Sequence, residues 1–201
     1  LVSLETNLKI YSSLKASFDG YGPTVKNLMA ASGRDPELKS KIKGVVGAVI
    51  STEQKYETAI ETAMGGYLQN VITATPDDAQ YLFKYLKRID GGRINCLPMS
   101  ALKVRQDGYE ITKAVGERGA LGLATKLVRY DAQFDNAIRF VLGNTLICDV
   151  IDNATAIAKK YNFAFKIVTL DGDVISPSGT MSGGSKKKNT TNLLAMDRHL
   201  Q

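Results

Sequence analysis

The sequence predicts an α/β protein built from two related α/β halves, with a helical segment at each end. Three observations carry that prediction. Between residues 45 and 98, apolar runs and helical stripes alternate as strand, helix, strand, helix, strand, an order that favours layered α/β packing. A shift of 78 positions lays residues 56–72 over residues 134–150, and helix face, closing glycine and following strand recur together. Apolar residues at helical spacing both open and close the chain.

Leu1, Leu4, Leu8, Tyr11 and Phe18 follow a three–four alternation, with Leu14 one beat out of place. That spacing suits either the end of a coiled-coil seam or a single amphipathic surface helix. Gly20, Tyr21 and Gly22 break it, and Pro23 restarts a helix at its favoured first-turn position, with Gly33 closing it. Residues 34–43 read as a charged loop in which Pro36 can open another turn. Residues 45–50 are apolar and β-branched, the pattern of a buried strand.

Tyr56, Ile60, Ala63, Met64 and Tyr67 make one helical face, stopped by Gly65 and Gly66, and residues 68–73 make the next strand. Thr75, Pro76, Asp77 and Asp78 supply a cap, a first-position proline and first-turn acids for a helix running to about residue 89. Residues 93–97 form a strand ended by Pro98.

The second copy begins near Gly122. The shift pairs Tyr56 with Phe134, Ala59 with Ala137, Ile60 with Ile138, Met64 with Leu142, Gly65 with Gly143, Leu68 with Leu146 and Ile72 with Val150. Asp152 and Asn153 stand where a helix cap is expected, residues 165–170 supply the last strand of the repeat, and residues 106–119 serve as the linker. Asp171-Gly172 is a hairpin dipeptide. The organisation expected is a helical stub over residues 1–19, a first subdomain over 20–118, a second over 119–190 and a second stub over 191–201.

Composition excludes much chemistry. The 201 residues include one histidine, His199, so a histidine triad, a multi-histidine metal site or a histidine acid–base pair is not expected as the centre of function. The two cysteines, Cys96 and Cys148, form no CxxC and sit in apolar runs, as buried thiols of a reducing compartment do. No apolar run approaches the roughly 18 residues of a membrane span, and no signal peptide opens the chain; a soluble protein or soluble fragment is expected. The net charge of +6 allows an anionic partner without requiring one. Asp131, Asp135, Asp149 and Asp152 fall at cap or strand-end positions, which structure explains more simply than catalysis.

The tract Gly179-Thr180-Met181-Ser182-Gly183-Gly184-Ser185-Lys186 invites comparison with a phosphate loop, but no lysine follows the glycine directly and no hydroxyl follows the lysine. From residue chemistry alone, Gly183-Gly184 is a flexible loop; its alternative is the close approach of a second backbone. Lys186, Lys187 and Lys188 are either a solvated charge block or a phosphate contact. A second basic stretch holds Lys84, Lys87, Arg88, Arg93, Lys103 and Arg105.

The ensemble resembles the hinge domain of structural maintenance of chromosomes (SMC) proteins, in its bacterial form. The residues that carry the resemblance are 22–28, 56–73, 92–98, 167–174 and, most specifically, Ser178 to Ser185. The resemblance implies the SMC hinge fold: two related α/β subdomains flanked by N- and C-terminal coiled-coil helix stubs. It implies a non-catalytic homodimerisation module with no cofactor, whose interface glycines match Gly183 and Gly184. It implies weak, sequence-independent DNA contact at positions matching Lys186, Lys187 and Lys188. It also implies a cytoplasmic, nucleoid-associated parent protein, with ATPase heads and contacts to other condensin subunits outside this chain, and no membrane. Asn189, Thr190, Thr191 and Asn192 depart from the family, which can carry a further glycine pair there. The rival from another class is a small α/β enzyme domain binding a phosphate or nucleotide through residues 179–188.

Overall fold

The computed structural model describes residues 20–185 and Leu194. The described residues open with α1 (Pro23–Ser32), flanked by Gly22 and Gly33, and α2 (Pro36–Lys41). Residues 34–43 are thus more than a loop: the Asp35 carboxylate accepts from the Glu37 and Leu38 amides, a cap worth about 1 kcal/mol.

The apolar run at residues 45–50 is not one strand. It divides into β1 (Gly44–Val45), a helical turn α3 (Val46–Val49) and β2 (Ile50–Thr52). Tertiary pairing overrides the local β preference here. β1 pairs with β3, whereas β2 pairs with β6 of the other half, so the chain must turn between them. Gly47 lets that turn sit tightly, since a Cβ there would lie 2.8 Å from both the Leu68 side chain and the Tyr21 hydroxyl.

A 3₁₀ turn (Gln54–Tyr56) leads into α4 (Glu57–Met64), which buries Ala59, Ile60, Ala63 and Met64. A second 3₁₀ stretch (Gly65–Gln69) takes the first two residues of the expected strand and leaves β3 as Val71–Thr73. α5 (Pro76–Ile89) starts as read, with the Thr75 hydroxyl accepting from the Asp78 amide at 3.2 Å. Its first-turn acids and its last-turn Lys87 and Arg88 both suit the helix dipole. β4 is the short segment Cys96–Pro98.

The expected linker contains a helix, α6 (Tyr109–Ala114), whose Ile111 and Ala114 are fully buried. It packs with Leu146, Cys148 and Phe165 and so belongs with the second half. That half continues through β5 (Ala120–Leu123), β6 (Val128–Tyr130), α7 (Asp135–Leu142), β7 (Thr145–Cys148), α8 (Ile151–Lys160), β8 (Lys166–Thr169), β9 (Val174–Ile175) and β10 (Met181–Ser182). Asp152 and Asn153 lie inside the first turn of α8 rather than at its cap. Asp149 instead accepts from the Val150 amide and the Asn153 side chain.

The repeat is visible in the topology. β1 is antiparallel to β3 and β3 parallel to β4; likewise β5 is antiparallel to β7 and β7 parallel to β8. The 78-residue shift carries β2 onto β6 and α4 onto α7. It then lapses: β3 begins at residue 71 and β7 at residue 145, because the 3₁₀ stretch has no counterpart after Gly143. The pairings of Leu68 with Leu146 and of Ile72 with Val150 therefore do not hold as strand equivalences.

β2 and β6 pair with each other, Ile50 with Tyr130, Ser51 with Arg129 and Thr52 with Val128. Since the shift maps Ser51 onto Arg129, this ladder lies on a local two-fold axis. Thr52 adds a side-chain bond across it, donating to the Leu127 carbonyl at 2.5 Å. A shared core, including Val46, Ile60 and Met64 from one half and Phe134, Ile138 and Leu142 from the other, packs around the axis. Leu194, 2 % exposed, joins that core; the rest of the two expected stubs lies outside the described residues. Among the described residues no helix is long and apolar enough to cross a membrane.

Candidate functional site: the sheet edges β4 and β10

Each half has two sheet edges. The first sheet has the order β1-β3-β4, so its edges are β1 and β4. The second has the order β10-β9-β8-β7-β5, so its edges are β10 and β5; of the four, β4 and β10 lie beside the glycine tract or an exposed apolar surface. The hairpin that builds β10 follows from residue chemistry. Gly172 takes φ 90 in the turn between β8 and β9, and Gly179 takes φ 88 in the turn between β9 and β10. The tract at residues 176–185 is therefore a strand edge. It does not run from a strand into a helix, the setting a phosphate loop requires.

Gly183 and Gly184 follow β10 directly and are exposed. Each needs to be glycine for a different reason. A Cβ on Gly183 would stand 2.5 Å from Asp173 Oδ1 of the same chain, while Gly184 has φ 119 with open space around it. Asp173 organises the tract: its carboxylate accepts from the Thr169 hydroxyl at 3.0 Å and from the Gly184 amide at 3.4 Å. Sequence reading missed Asp173, whose only signal was its place beside the Asp171-Gly172 turn. Met181 on β10 is 55 % exposed, an apolar side chain on an open edge. Lys186, Lys187 and Lys188 lie outside the described residues.

Beside β4, the outer face of α5 and the extended segment before the strand enclose a recess of about 230 Å³ lined by Phe83, Leu86, Lys87, Gly92, Arg93 and Ile94. Phe83 is exposed there, and Ile89, Lys84, Lys87 and Arg88 are exposed on the same helix. The edge of the first half is thus apolar with a basic surround.

Little here supports bond-making chemistry. Among the described residues no group of three or more His, Cys, Asp or Glu side chains could hold a metal ion. Cys148 is fully buried and Cys96 half-buried; burial pushes both thiols up to about 11, far from the thiolate a nucleophile needs.

The model of a family described as SMC proteins Flexible Hinge Domain matches residues 39–158. A chromosome partition protein Smc of Clostridium kluyveri is 36 % identical over 200 residues, covering 99 % of this chain. One of Bacillus subtilis is 37 % identical over 190 residues, covering 94 %. The chain spans only 17 % and 16 % of the length of those relatives. Among solved structures, an asymmetric dimer of the Geobacillus stearothermophilus SMC hinge domain superposes with a TM-score of 0.87 at 30 % identity, covering 98 % of this chain and 78 % of that one. The Pyrococcus furiosus SMC hinge domain gives 0.67 at 26 % identity, covering 96 % and 98 %.

Proposed function

The chain belongs to the SMC flexible hinge domain family, and on that premise we propose that it is the self-association hinge of a chromosome partition protein. The observation that carries this reading is the pair of open edges, β4 in one half and β10 in the other. Two copies related by a two-fold axis can set β10 of each against β4 of its partner, so that these two edges are paired in both chains at once. Exposed Met181 and the recess beside Phe83 supply apolar area, and the bare backbone at Gly184 permits close approach. ATP chemistry belongs to parts of the parent protein outside this chain.

Light scattering of the chain at micromolar concentration should give twice 21.8 kDa. Met181→Glu, on an exposed side chain, should shift the mass toward one chain without lowering the melting temperature. Replacing Gly183 and Gly184 together with bulky residues should also shift the mass toward one chain, here with a lowered melting temperature because Asp173 stands in the way. A parent chain of single mass refutes the reading.

We further propose that Lys186, Lys187 and Lys188 contact DNA in a nucleoid-associated parent. Such binding is indifferent to sequence and falls steeply with salt. Exchanging all three for glutamate should abolish it, the salt slope shrinking by about one per lost phosphate contact. Binding that survives would move the contact to the basic surround of β4.

A further inference from the structure

We propose that the recess between the two halves, where Arg105 and Lys166 meet, binds a small dianionic oxyanion: inorganic phosphate or the phosphate end of a monoester. The recess has a volume of about 250 Å³ and lies between the end of α4, the start of β7 and the β9–β10 turn. Pockets for drug-sized ligands run from about 300 Å³ upward, so the occupant is small.

The charge lining is one-sided. Arg105 and Lys166 both face the recess, and no carboxylate lines it. Among the described residues neither cation has an ion-pair partner. Lys166 Nζ donates one bond, to the Ala63 carbonyl at 2.9 Å in the last turn of α4. A cation at a helix C-terminus explains Lys166 by itself. It does not explain a second cation beside it. Burial and then the like charge of Arg105 hold the Lys166 ammonium below its usual range, so the two heads are near enough to repel. An oxyanion between them converts that repulsion into two charge-assisted contacts.

Arg105 is held there by its backbone. The missing side chain of Gly143 lets the Arg105 carbonyl and Cβ press against it; a Cβ on Gly143 would stand 2.6 and 3.0 Å from them. Two residues on, the Asp107 carboxylate accepts from the Asn144 amide at 2.9 Å. The connection between the halves is thereby pinned at the rim of the recess. Tyr67 and Phe140, in edge-to-face contact at 5.5 Å, form an aromatic wall on one side. That wall suits an aromatic base attached to the phosphate. The inference does not rest on the self-association reading, since none of these residues belongs to β4 or β10.

The test is a titration of the whole chain with inorganic phosphate, and separately with AMP, replacing chloride at constant ionic strength, followed by amide chemical shifts. Saturable shifts are expected at Gly65, Gly66 and Asn144. Arg105→Gln, on an exposed side chain, should weaken binding at least about tenfold with an unchanged melting temperature, as loss of one charge-assisted contact requires. Lys166→Gln should do the same, its melting temperature showing whether α4 has suffered. Tighter binding of AMP than of phosphate, with shifts reaching Tyr67, identifies a nucleotide phosphate; equal binding identifies phosphate alone. Shifts that never saturate, or that are the same in Arg105→Gln, overturn the proposal. So do shifts confined to α5 or to β10.

Discussion

Replacing Gly143 with alanine should destabilise the chain by about 2 kcal/mol, and the reason is room rather than backbone conformation. Gly143 ends α7 with φ −62 and ψ 148, angles any residue adopts. An added Cβ would fall on the Arg139 carbonyl oxygen and stand 2.6 Å from the Arg105 carbonyl oxygen. Neither can rotate away. The Arg139 carbonyl is fixed by the Gly143 amide at 2.8 Å in the closing bond of α7, and the segment after Arg105 is fixed through Asp107. Overpacking of this kind costs about 1–3 kcal/mol. With two backbone oxygens to displace we take the middle of that range, which for a chain of this size lowers the melting temperature by about 4–8 °C. Gly66→Ala is the control. Nothing lies within 4 Å of a Cβ there and its φ is not positive. Its effect should stay within about 0.5 kcal/mol, as for surface changes generally. Urea unfolding followed by circular dichroism measures both. If Gly143→Ala proves as stable as Gly66→Ala, the packing of the connection against α7 is not what it has been taken to be.

Two further outcomes follow from the ionisable groups. Glu117 accepts from Lys160 Nζ at 2.6 Å and from the Tyr161 hydroxyl at 2.9 Å, and these bonds hold its carboxyl below the usual range. A carboxyl so depressed adds stability above its unfolded value of about 4.3, and that stability disappears as pH falls through the folded value. Glu117→Gln should therefore flatten the acid limb of melting temperature against pH; an unchanged limb would mean the bonds contribute nothing in solution. Cys148, fully buried with its thiol pushed up to about 11, should react with a thiol reagent at neutral pH only when the chain opens, with half-buried Cys96 reacting first. Equal rates for the two would contradict the packing of α6 over β7.

Helix boundaries were the most readable part of the sequence. Pro23 and Gly33 bracket α1, Thr75 caps α5, and Ile60, Ala63 and Met64 of the expected stripe form the buried face of α4, with Tyr56 buried just before it; its last member, Tyr67, lies beyond the helix in the second 3₁₀ stretch and is exposed. Each of these signals acts within a turn or two of the residue that carries it. The run at residues 45–50 misled because its division depends on two partners distant in the chain, β3 and β6. α6 was hidden because two buried residues, Ile111 and Ala114, are too few to make a stripe. The site shows the same division. Gly183 and Gly184 stand out in the sequence as a glycine pair, yet which strands form the sheet edges is a matter of strand order, and Asp173 matters only once the hairpin has folded against it. Arg105 reaches the recess through the packing of its backbone on Gly143 and Lys166 through the pairing of β8 with β7, so no local pattern announces them.

The short ladder between β2 and β6 has a consequence for the order of assembly. It joins residues 76–80 apart in the chain, whereas the pairings inside each sheet, such as Gly44 with Ile72 and Thr145 with Lys166, close segments of 28 and 21 residues. Chain entropy therefore charges the ladder about 1 kcal/mol more than either sheet closure, and it returns only three paired residues for that cost. Each half can form its own sheet first; the ladder and the shared core follow as one late event, since both need the halves together. In the folded chain the same logic runs backwards, so the amides of residues 50–52 and 128–130 should exchange with solvent through openings that leave both sheets intact. The place where one half most resembles the other is thus the seam at which the molecule is last to close.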